Sequence, residues 1–319
     1  MLLAASTDAT ITLYRVRDWV MLRSLKGHKG KVNSVDAHPQ GRVALSVGQD
    51  KMLRMWDLVA GKSVATMKVG QEGDVVRWNT DGSKFAVICN NTLTVYGIDM
   101  SVHASLSSPS RFHDLRFAFF PLDAADPAQK EFLFIACEDG KTRVYDITHT
   151  KGVAPGDEGL TAPAPELTVA AELVGHANRV KMLDLLEVAL PTAEPSSTIV
   201  LTSISSDGKI NLYNLAQLAS APKDENGVAQ LSPAAVHDTD GSRLTCVGVV
   251  GLVDRKDGGQ GGDDGEESSD EEEESDDEDD EEFGEGDEGS EEEEGSEDGE
   301  EEDDEEEGED EDEDEGEYE

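Results

Sequence analysis

The sequence predicts an all-β protein made of repeated blade-like sheets, and three observations lead to this fold class. First, the stretch Gly27–Asp57 begins with Gly-His, ends with Trp-Asp, and encloses two apolar, strand-like runs separated by polar turns. Second, the order of strand, Asp-containing turn and strand recurs, for example in LLAASTDATITLYRV and VALSVGQDKMLRMWD. Third, the G-H…W-D spacing is typical of one blade of a β-propeller, whose period is roughly 40–45 residues. We therefore predict a β-propeller with about five blades' worth of strands.

The predicted strands begin in the middle of this repeat. Leu2–Ser6, Thr10–Arg15 and Trp19–Leu25 correspond to the second, third and fourth strands of a blade whose first strand is missing. Near the other end, Arg243–Val250 corresponds to a first strand without successors. Either the two ends complete one another, which hides the sheet edges, or the chain is an N-terminally incomplete version of a larger propeller. Propellers contain four to eight blades, and those with this G-H…W-D repeat tend toward the higher number. We therefore favour the interpretation that the chain is incomplete at its N-terminus.

The second and third units follow in order. The second unit has Lys31–Ala37, Arg42–Val47, a third strand ending at Asp57, and Lys62–Lys68. The third unit is degenerate, since Tyr96 replaces the tryptophan and no Gly-His precedes it. Its predicted strands are Asp74–Trp78, Lys84–Cys89, Thr92–Tyr96 and Val102–Leu106.

The last two units contain longer connections. The fourth has strands Leu115–Phe120, Phe132–Cys137, Lys141–Tyr145 and Glu166–Val174, a loop at Asp123–Gln129 and a surface insertion at His149–Pro165. The fifth has strands Arg179–Leu186, Thr198–Ser203, Lys209–Tyr213 and Ala234–Val236, with loops at Leu190–Ser197 and Gln217–Ser232. The Leu-rich end of Arg179–Leu186 is compatible with a helix, but its register favours a strand.

Two units carry a set of four polar positions. Aligned with WD repeats, which it resembles, the second unit places Asp50, His28, Ser46 and Trp56 in one buried hydrogen-bonded chain, because a buried polar group must be paired. The fifth unit fills the same positions with His176, Ser203, Asp207 and Tyr213, where a phenol replaces the indole. We predict that both sets are structural.

A serine, a histidine and an aspartate also invite a hydrolase interpretation. That alternative is disfavoured because the residues fall on separate strands and turns of a repeat, and no G-x-S-x-G nucleophile elbow occurs. No metal-ligand spacing, phosphate-cradling glycine loop or paired-carboxylate motif is visible either. We therefore expect no catalytic residue, no cofactor and no metal ion.

The charge of the chain is concentrated at one end. Asp257–Glu319 holds 43 of the 72 acidic residues and no Lys or Arg, while the remaining 256 residues hold 29 acidic and 26 basic residues. This predicts a propeller over residues 1–256 and a tail over 257–319 that is disordered, because it cannot bury enough apolar surface to offset chain entropy. The tail either keeps the protein soluble or mimics a nucleic acid and holds basic proteins.

Cysteine usage and hydropathy indicate in which cellular compartment the protein is expected. Cys89, Cys137 and Cys246 are scattered, which indicates reduced core residues of an intracellular protein. The first residues lack a signal-peptide pattern, and no apolar run reaches the length of a membrane span. We expect no association with a membrane.

Several stretches resemble one family more closely than WD repeats in general. In order and spacing, GHKGKVNSVDAHPQGRVALSVGQDKMLRMWDLVAGKS, DVVRWNTDGSKFAVI, GHANRVKMLD, TSISSDGKINLYNL and SRLTCVGV resemble the fungal WD-repeat factors for large-subunit maturation and their animal counterparts that interact with p21-activated kinase. The resemblance implies a nucleolar scaffold for 60S assembly and pre-rRNA maturation, with pre-60S factors and ribosomal proteins as partners. The alternative it implies is an adaptor that binds and inhibits a p21-activated-type kinase. Some members end in a Lys-rich tail, so tail functions do not carry over to this acidic one.

Basic residues cluster in sequence around the second unit: Lys26, Lys29, Lys31, Arg42, Lys51 and Arg54. They either contact rRNA phosphate or form a solvated blade surface, and the sequence favours the solvated surface.

Overall fold

The computed structural model describes residues 1–123, 126–150, 167–189 and 197–251, without the side chains of residues 121–128. The predicted tail, the loop Leu190–Ser197 and the insertion His149–Pro165 lie wholly or largely outside the described residues. In the described residues the chain forms five sheets, antiparallel except for one parallel pair in the fourth, which confirms the all-β fold class.

The first two sheets follow the predicted order. The first sheet contains β1 (Leu2–Ala5), β2 (Thr10–Arg15) and β3 (Val20–Lys26). The second sheet contains β4 (Val32–Ala37), β5 (Val43–Gly48), β6 (Met52–Asp57) and β7 (Lys62–Lys68). We call the end of the sheets that carries the turn between β5 and β6 the upper end. The lower end carries the turn between β4 and β5.

The other three sheets repeat this meander. The third sheet contains β8 (Val75–Trp78), β9 (Lys84–Cys89), β10 (Thr92–Gly97) and β11 (Val102–Ser107). The fourth contains β12 (Phe112–Asp123), β13 (Asp126–Cys137), β14 (Thr142–Asp146), β15 (Val169–Leu173) and β19 (Ala229–Leu231). The fifth contains β16 (Val180–Ala189), β17 (Ser197–Ser205), β18 (Lys209–Asn214) and β20 (Ala235–Asp238), with a 3₁₀ helix at Leu215–Ser220.

Four apolar clusters fill the spaces between consecutive sheets. The largest lies between the fourth and fifth sheets and is built around Phe132, Phe134 and Leu201. Another lies between the first two sheets and is built around Ile11, Leu25 and Trp56. Successive side chains of an inner strand enter the clusters on opposite faces of its sheet, as Phe132 and Leu133 do, which is expected when both faces pack against neighbours.

In two of the sheets, side chains of the first strand accept hydrogen bonds from the backbone of the following sheet. The Val76 backbone N–H donates to the Ser34 hydroxyl at 3.3 Å, and the Leu183 N–H donates to the Asp114 carboxylate at 3.1 Å. Ser34 and Asp114 both follow a register shift in their own strands, so they occupy the same place in the repeat. Asp36 adds a further bond of 2.7 Å from the N–H of Trp78.

The prediction that Arg243–Val250 forms a strand was wrong, because this segment belongs to no sheet. It lies against β16, where the Val247 N–H donates to the Met182 sulfur at 3.4 Å and the Val249 N–H donates to the Asp184 carboxylate at 2.8 Å. It therefore sits where a first strand of a following sheet would sit, but no second strand pairs with it. In the described residues no ladder joins it to β1, so the closed five-blade alternative is not observed.

Two predicted loops contain regular structure. Asp123–Gln129 was predicted as a loop, but most of it extends the β12–β13 hairpin, whose pairing continues to Asp123 opposite Asp126. Gln217–Ser232 was also predicted as a loop. It contains the end of the 3₁₀ helix and then β19, which leaves the fifth sheet and pairs in parallel with β15. The path of this segment to the fourth sheet buries the side chains of Leu218 and Leu231, which stabilises it.

Cysteine positions agree only in part with the prediction of core residues. Cys89 and Cys137 are buried, and burial raises the pKa of each thiol to about 11. Cys246 is exposed because its segment lies on the open side of the fifth sheet.

Candidate functional site

The predicted polar residues of the second sheet form one continuous chain of hydrogen bonds. His28 lies in the loop before β4, and its Nδ1 is 2.8 Å from an Asp50 carboxylate oxygen. Its Nε2 is 2.7 Å from Ser46 Oγ, which in turn is 2.8 Å from the indole nitrogen of Trp56. The chain joins the loop, the turn after β5 and strands β5 and β6.

The pKa shifts of His28 and Asp50 indicate which group donates each hydrogen bond in this series. Burial lowers the pKa of His28 more than the Asp50 carboxylate raises it, so the imidazole is neutral at pH 7. For Asp50, burial is the largest influence and raises its pKa. The net direction is still down, because the Lys29 backbone N–H and the His28 ring donate to the carboxylate. The direction of donation is therefore Trp56 to Ser46, Ser46 to His28, and His28 to Asp50.

The equivalent residues of the fifth sheet are brought together with one difference. His176 Nδ1 lies 3.2 Å from Asp207, and its Nε2 lies 2.8 Å from Ser203 Oγ. Tyr213 occupies the tryptophan position, but its hydroxyl donates to the backbone carbonyl of Val174 at 2.9 Å and accepts from Asn211 at 3.1 Å. In this sheet the aromatic residue therefore binds the carbonyl of Val174, which directly follows β15. The hydrogen-bonded set comprises Asp207, His176 and Ser203 and does not extend to Tyr213.

These two sets join loops, turns and strands of their own sheets, and their serines are enclosed. Ser46 and Ser203 are both 0% exposed, and Ser46 is already shared between His28 and Trp56. A nucleophile must reach the scissile bond, so a serine enclosed in this way is unsuited to acyl transfer. Among the described residues, no cluster of three or more His, Cys, Asp or Glu side chains could hold a metal ion.

An apolar groove at the lower end is the feature most suited to binding. It encloses about 660 Å³ between the extended β12–β13 hairpin, the β16–β17 hairpin and the 3₁₀ helix. Its lining residues are Thr80, Phe117, Ala118, Phe119, Phe120, Gln129, Leu185, Glu187, Ser197, Thr198, Ile199, Leu215, Ala216 and Ala219. A concave, mostly apolar surface with few polar groups is typical of ligand-binding sites.

Strand length creates this groove. The strands β12 and β13 are each 12 residues long, whereas β4 and β5 each have six. The floor is fixed by Phe120, which stacks on Phe132 with ring centres 4.5 Å apart. Among the described lining residues, the exposed Glu187 is the one that carries a charge. Sequence reasoning missed the groove because it predicted the hairpin extension as a loop, although the run of aromatic residues before Pro121 was a usable signal.

None of the helices in the described ranges is long and apolar enough to cross a membrane.

Comparison with known proteins identifies the repeat. The family model "WD domain, G-beta repeat" matches residues 19–57. The p21-activated protein kinase-interacting protein 1-like of Danio rerio is 30% identical over 215 residues, covering 67% of this chain and 49% of that protein. Protein MAK11 of Saccharomyces cerevisiae is 27% identical over 254 residues, covering 77% of this chain and 55% of that protein. The chain thus spans about half the length of the curated relatives it matches.

Proposed function

Because this chain is a WD40-repeat protein homologous to MAK11 and to the p21-activated protein kinase-interacting proteins, we propose that it is a non-catalytic scaffold for assembly of the 60S ribosomal subunit in the nucleolus. It supports this process, which includes maturation of pre-rRNA, by binding proteins and catalyses no step itself. The enclosed serines of both polar sets support a non-catalytic role.

The apolar groove is the observation that carries this proposal. Rigid sheets hold its walls, so a partner finds a preformed surface and loses less conformational freedom on binding. The ligand we propose is an apolar side chain, or a short apolar segment, of a pre-60S assembly factor or ribosomal protein. Glu187 at the edge of the groove favours a segment that has a basic residue beside its apolar side chain.

We propose a separate role for the acidic residues. Asp257–Glu319 is rich enough in carboxylates to attract basic proteins, as an RNA backbone does. Basic ribosomal proteins are the partners proposed for it. The division into a propeller of residues 1–256 and a tail of residues 257–319 is part of this proposal.

A kinase-binding adaptor is the second candidate function. The names of the animal relatives, and that of the Shk1 kinase-binding protein 15 of Schizosaccharomyces pombe, which is 24% identical over 249 residues, favour it. In this role the chain binds and inhibits a p21-activated-type protein kinase.

Sedimentation of the full chain separates the two functions. A tagged chain expressed in its own cells should co-sediment with particles that contain precursors of the large-subunit rRNA. If it is absent from these particles and recovers a p21-activated-type kinase on affinity purification, the adaptor function is correct.

A pair of exposed alanines tests the groove itself. Ala219→Glu places a charge on the groove wall, whereas Ala60→Glu places the same charge on an exposed turn of the second sheet. We expect Ala219→Glu to deplete the chain from the particles and Ala60→Glu to sediment as the wild type does. Equal sedimentation of both variants would exclude the groove as the contact.

A further inference from the structure

Most basic side chains of the first two sheets make no ion pair with the described residues. Residues 1–68 contain eleven Lys and Arg against five Asp and Glu. In the described structure, Arg15 is the one of these eleven that makes an ion pair, with Asp18 at 2.7 Å. In the remaining described ranges, seven of the twelve basic residues are paired: Arg77, Lys84, Arg111, Arg116, Lys141, Arg143 and Arg179.

The five acidic residues of the same region are occupied by other donors. Asp50 accepts from His28, and Asp8 accepts from the backbone and hydroxyl of Thr10. The other three bind locally as well: Asp18 to Arg15, Asp36 to the N–H of Trp78, and Asp57 to the N–H groups of Val59 and Ala60. The carboxylates therefore stabilise turns and sheet junctions, and within the described residues they leave the ammonium groups without an ion pair.

Several of these lysines share the upper end of the first two sheets. We define the lysine rim as Lys26, Lys29, Lys31, Lys51 and Lys68, all of which are exposed. Backbone hydrogen bonds tie their segments together. The Lys29 N–H donates to Asp50, the Gln49 N–H donates to the Lys31 carbonyl, and the Val69 N–H donates to the Lys51 carbonyl. The ammonium groups thus project from a fixed platform on long side chains.

The remaining basic residues of the cluster predicted from the sequence lie elsewhere. Arg42 is in the turn between β4 and β5, at the lower end. Arg54 lies on β6 and is partly buried beside Gly27 and Trp56. A cluster in sequence is therefore divided in space, and the lysines alone form a continuous rim.

We propose that the lysine rim binds the phosphate backbone of RNA without reading its sequence. Lysine is a compact, mobile point charge suited to phosphate, and the rim contains no aromatic residue on which a base would stack. Binding of this kind neutralises phosphates and releases counterions, so each added ammonium group strengthens it. The rim lies at the opposite end of the sheets from the apolar groove, so this proposal is independent of the groove.

RNA binding by the full chain tests the proposal. The probe is a fluorescent 20-nucleotide single-stranded RNA, titrated in 50 mM and 200 mM salt. The test variant combines Lys29→Gln, Lys31→Gln and Lys68→Gln. The matched control combines Arg17→Gln, Arg42→Gln and Lys62→Gln, which removes three equally exposed and unpaired charges from the lower end.

The wild type should bind the RNA in 50 mM salt, and the rim variant should bind at least tenfold more weakly. Because each phosphate contact contributes about 0.7 to the salt slope for single strands, the slope of the rim variant should fall by about 2. The control should lose less than about twofold. No binding by the wild type, or an equal loss in both variants, would overturn the proposal, as would equal binding of a fluorescent polyglutamate peptide.

Discussion

The indole nitrogen of Trp56 lies 2.8 Å from the hydroxyl oxygen of Ser46 and donates its proton to it. The serine hydroxyl donates a hydrogen bond to the Nε2 of His28 at 2.7 Å, so a single buried hydroxyl satisfies two rings on different segments. Because unpaired buried donors and acceptors are costly, removing this hydroxyl leaves two ring nitrogens of the second sheet without a partner.

The variant Ser46→Ala should therefore be destabilised by about 1–3 kcal/mol, since it leaves the Trp56 N–H and the His28 Nε2 without partners. Urea unfolding followed by tryptophan fluorescence measures this loss. Ser63→Ala is the control, because Ser63 is exposed on β7 of the same sheet and its loss should cost less than about 0.5 kcal/mol. An equal, small effect of both substitutions would contradict the network.

A pair of double-mutant cycles should show that the two polar sets differ. Ser46→Ala and Trp56→Phe remove the same hydrogen bond, so their effects on unfolding free energy should be non-additive by at least about 0.5 kcal/mol. Ser203→Ala and Tyr213→Phe remove different bonds, because the phenol donates to Val174, and should add within about 0.5 kcal/mol. Strong coupling between Ser203 and Tyr213 would show that the phenol binds the serine in solution.

Stability should fall as the pH drops below about 6.5, the ordinary histidine value. Burial lowers the pKa of His28 and of His176 in the folded protein, so the unfolded chain binds these protons first. Between the lowered pKa and 6.5 the unfolded state holds more protons, and the free energy of unfolding therefore rises with pH. The stabilisation is complete above 6.5 and is lost below it.

Urea midpoints at pH 7.5, 6.5 and 5.5 measure this dependence. The control is His28→Gln, which cannot titrate at this position. It should be less stable than the wild type at pH 7.5, and the difference should shrink at pH 5.5. A constant difference across this range would mean that His28 keeps its ordinary pKa.

The sequence predicted the sheets better than it predicted their connections. The strands of the second sheet were predicted within about a residue, because Gly-His, Trp-Asp and alternating apolar residues all indicate the same register. The extension of β13 was missed because the backbone pairing from Asp126 onward continues a ladder through residues of low strand propensity. β19 was missed because its parallel partner, β15, is distant in sequence.

The site was less predictable than the fold. The residues of both polar sets follow from repeat spacing, but the different role of Tyr213 depends on the carbonyl of Val174, which only the folded chain brings near. The groove depends on the relative lengths of two hairpins and on a 3₁₀ helix. None of these has a repeat signature, and the run of aromatic residues before Pro121 was the one signal in the sequence that pointed to the groove.

The segment after β20 is attached to β16 by a hydrogen bond that can be tested. Val249 donates its backbone N–H to Asp184 at 2.8 Å, although the segment belongs to no sheet. Asp184 also lies 3.5 Å from the guanidinium of Arg116, so its carboxylate links the fourth sheet, the fifth sheet and this segment. Backbone hydrogen exchange reports local opening of such a weakly attached segment.

Asp184→Ala should speed exchange of the Val249 amide at least tenfold, because the acceptor is gone. Asp184→Asn keeps a carbonyl oxygen as acceptor and loses only the charge, so exchange should stay within about threefold of the wild type. The amide of Trp78, which donates in the same way to Asp36 of the second sheet, serves as an internal reference and should not change. Unchanged exchange at Val249 in Asp184→Ala would mean that apolar contacts of the segment, and not this hydrogen bond, keep it against β16.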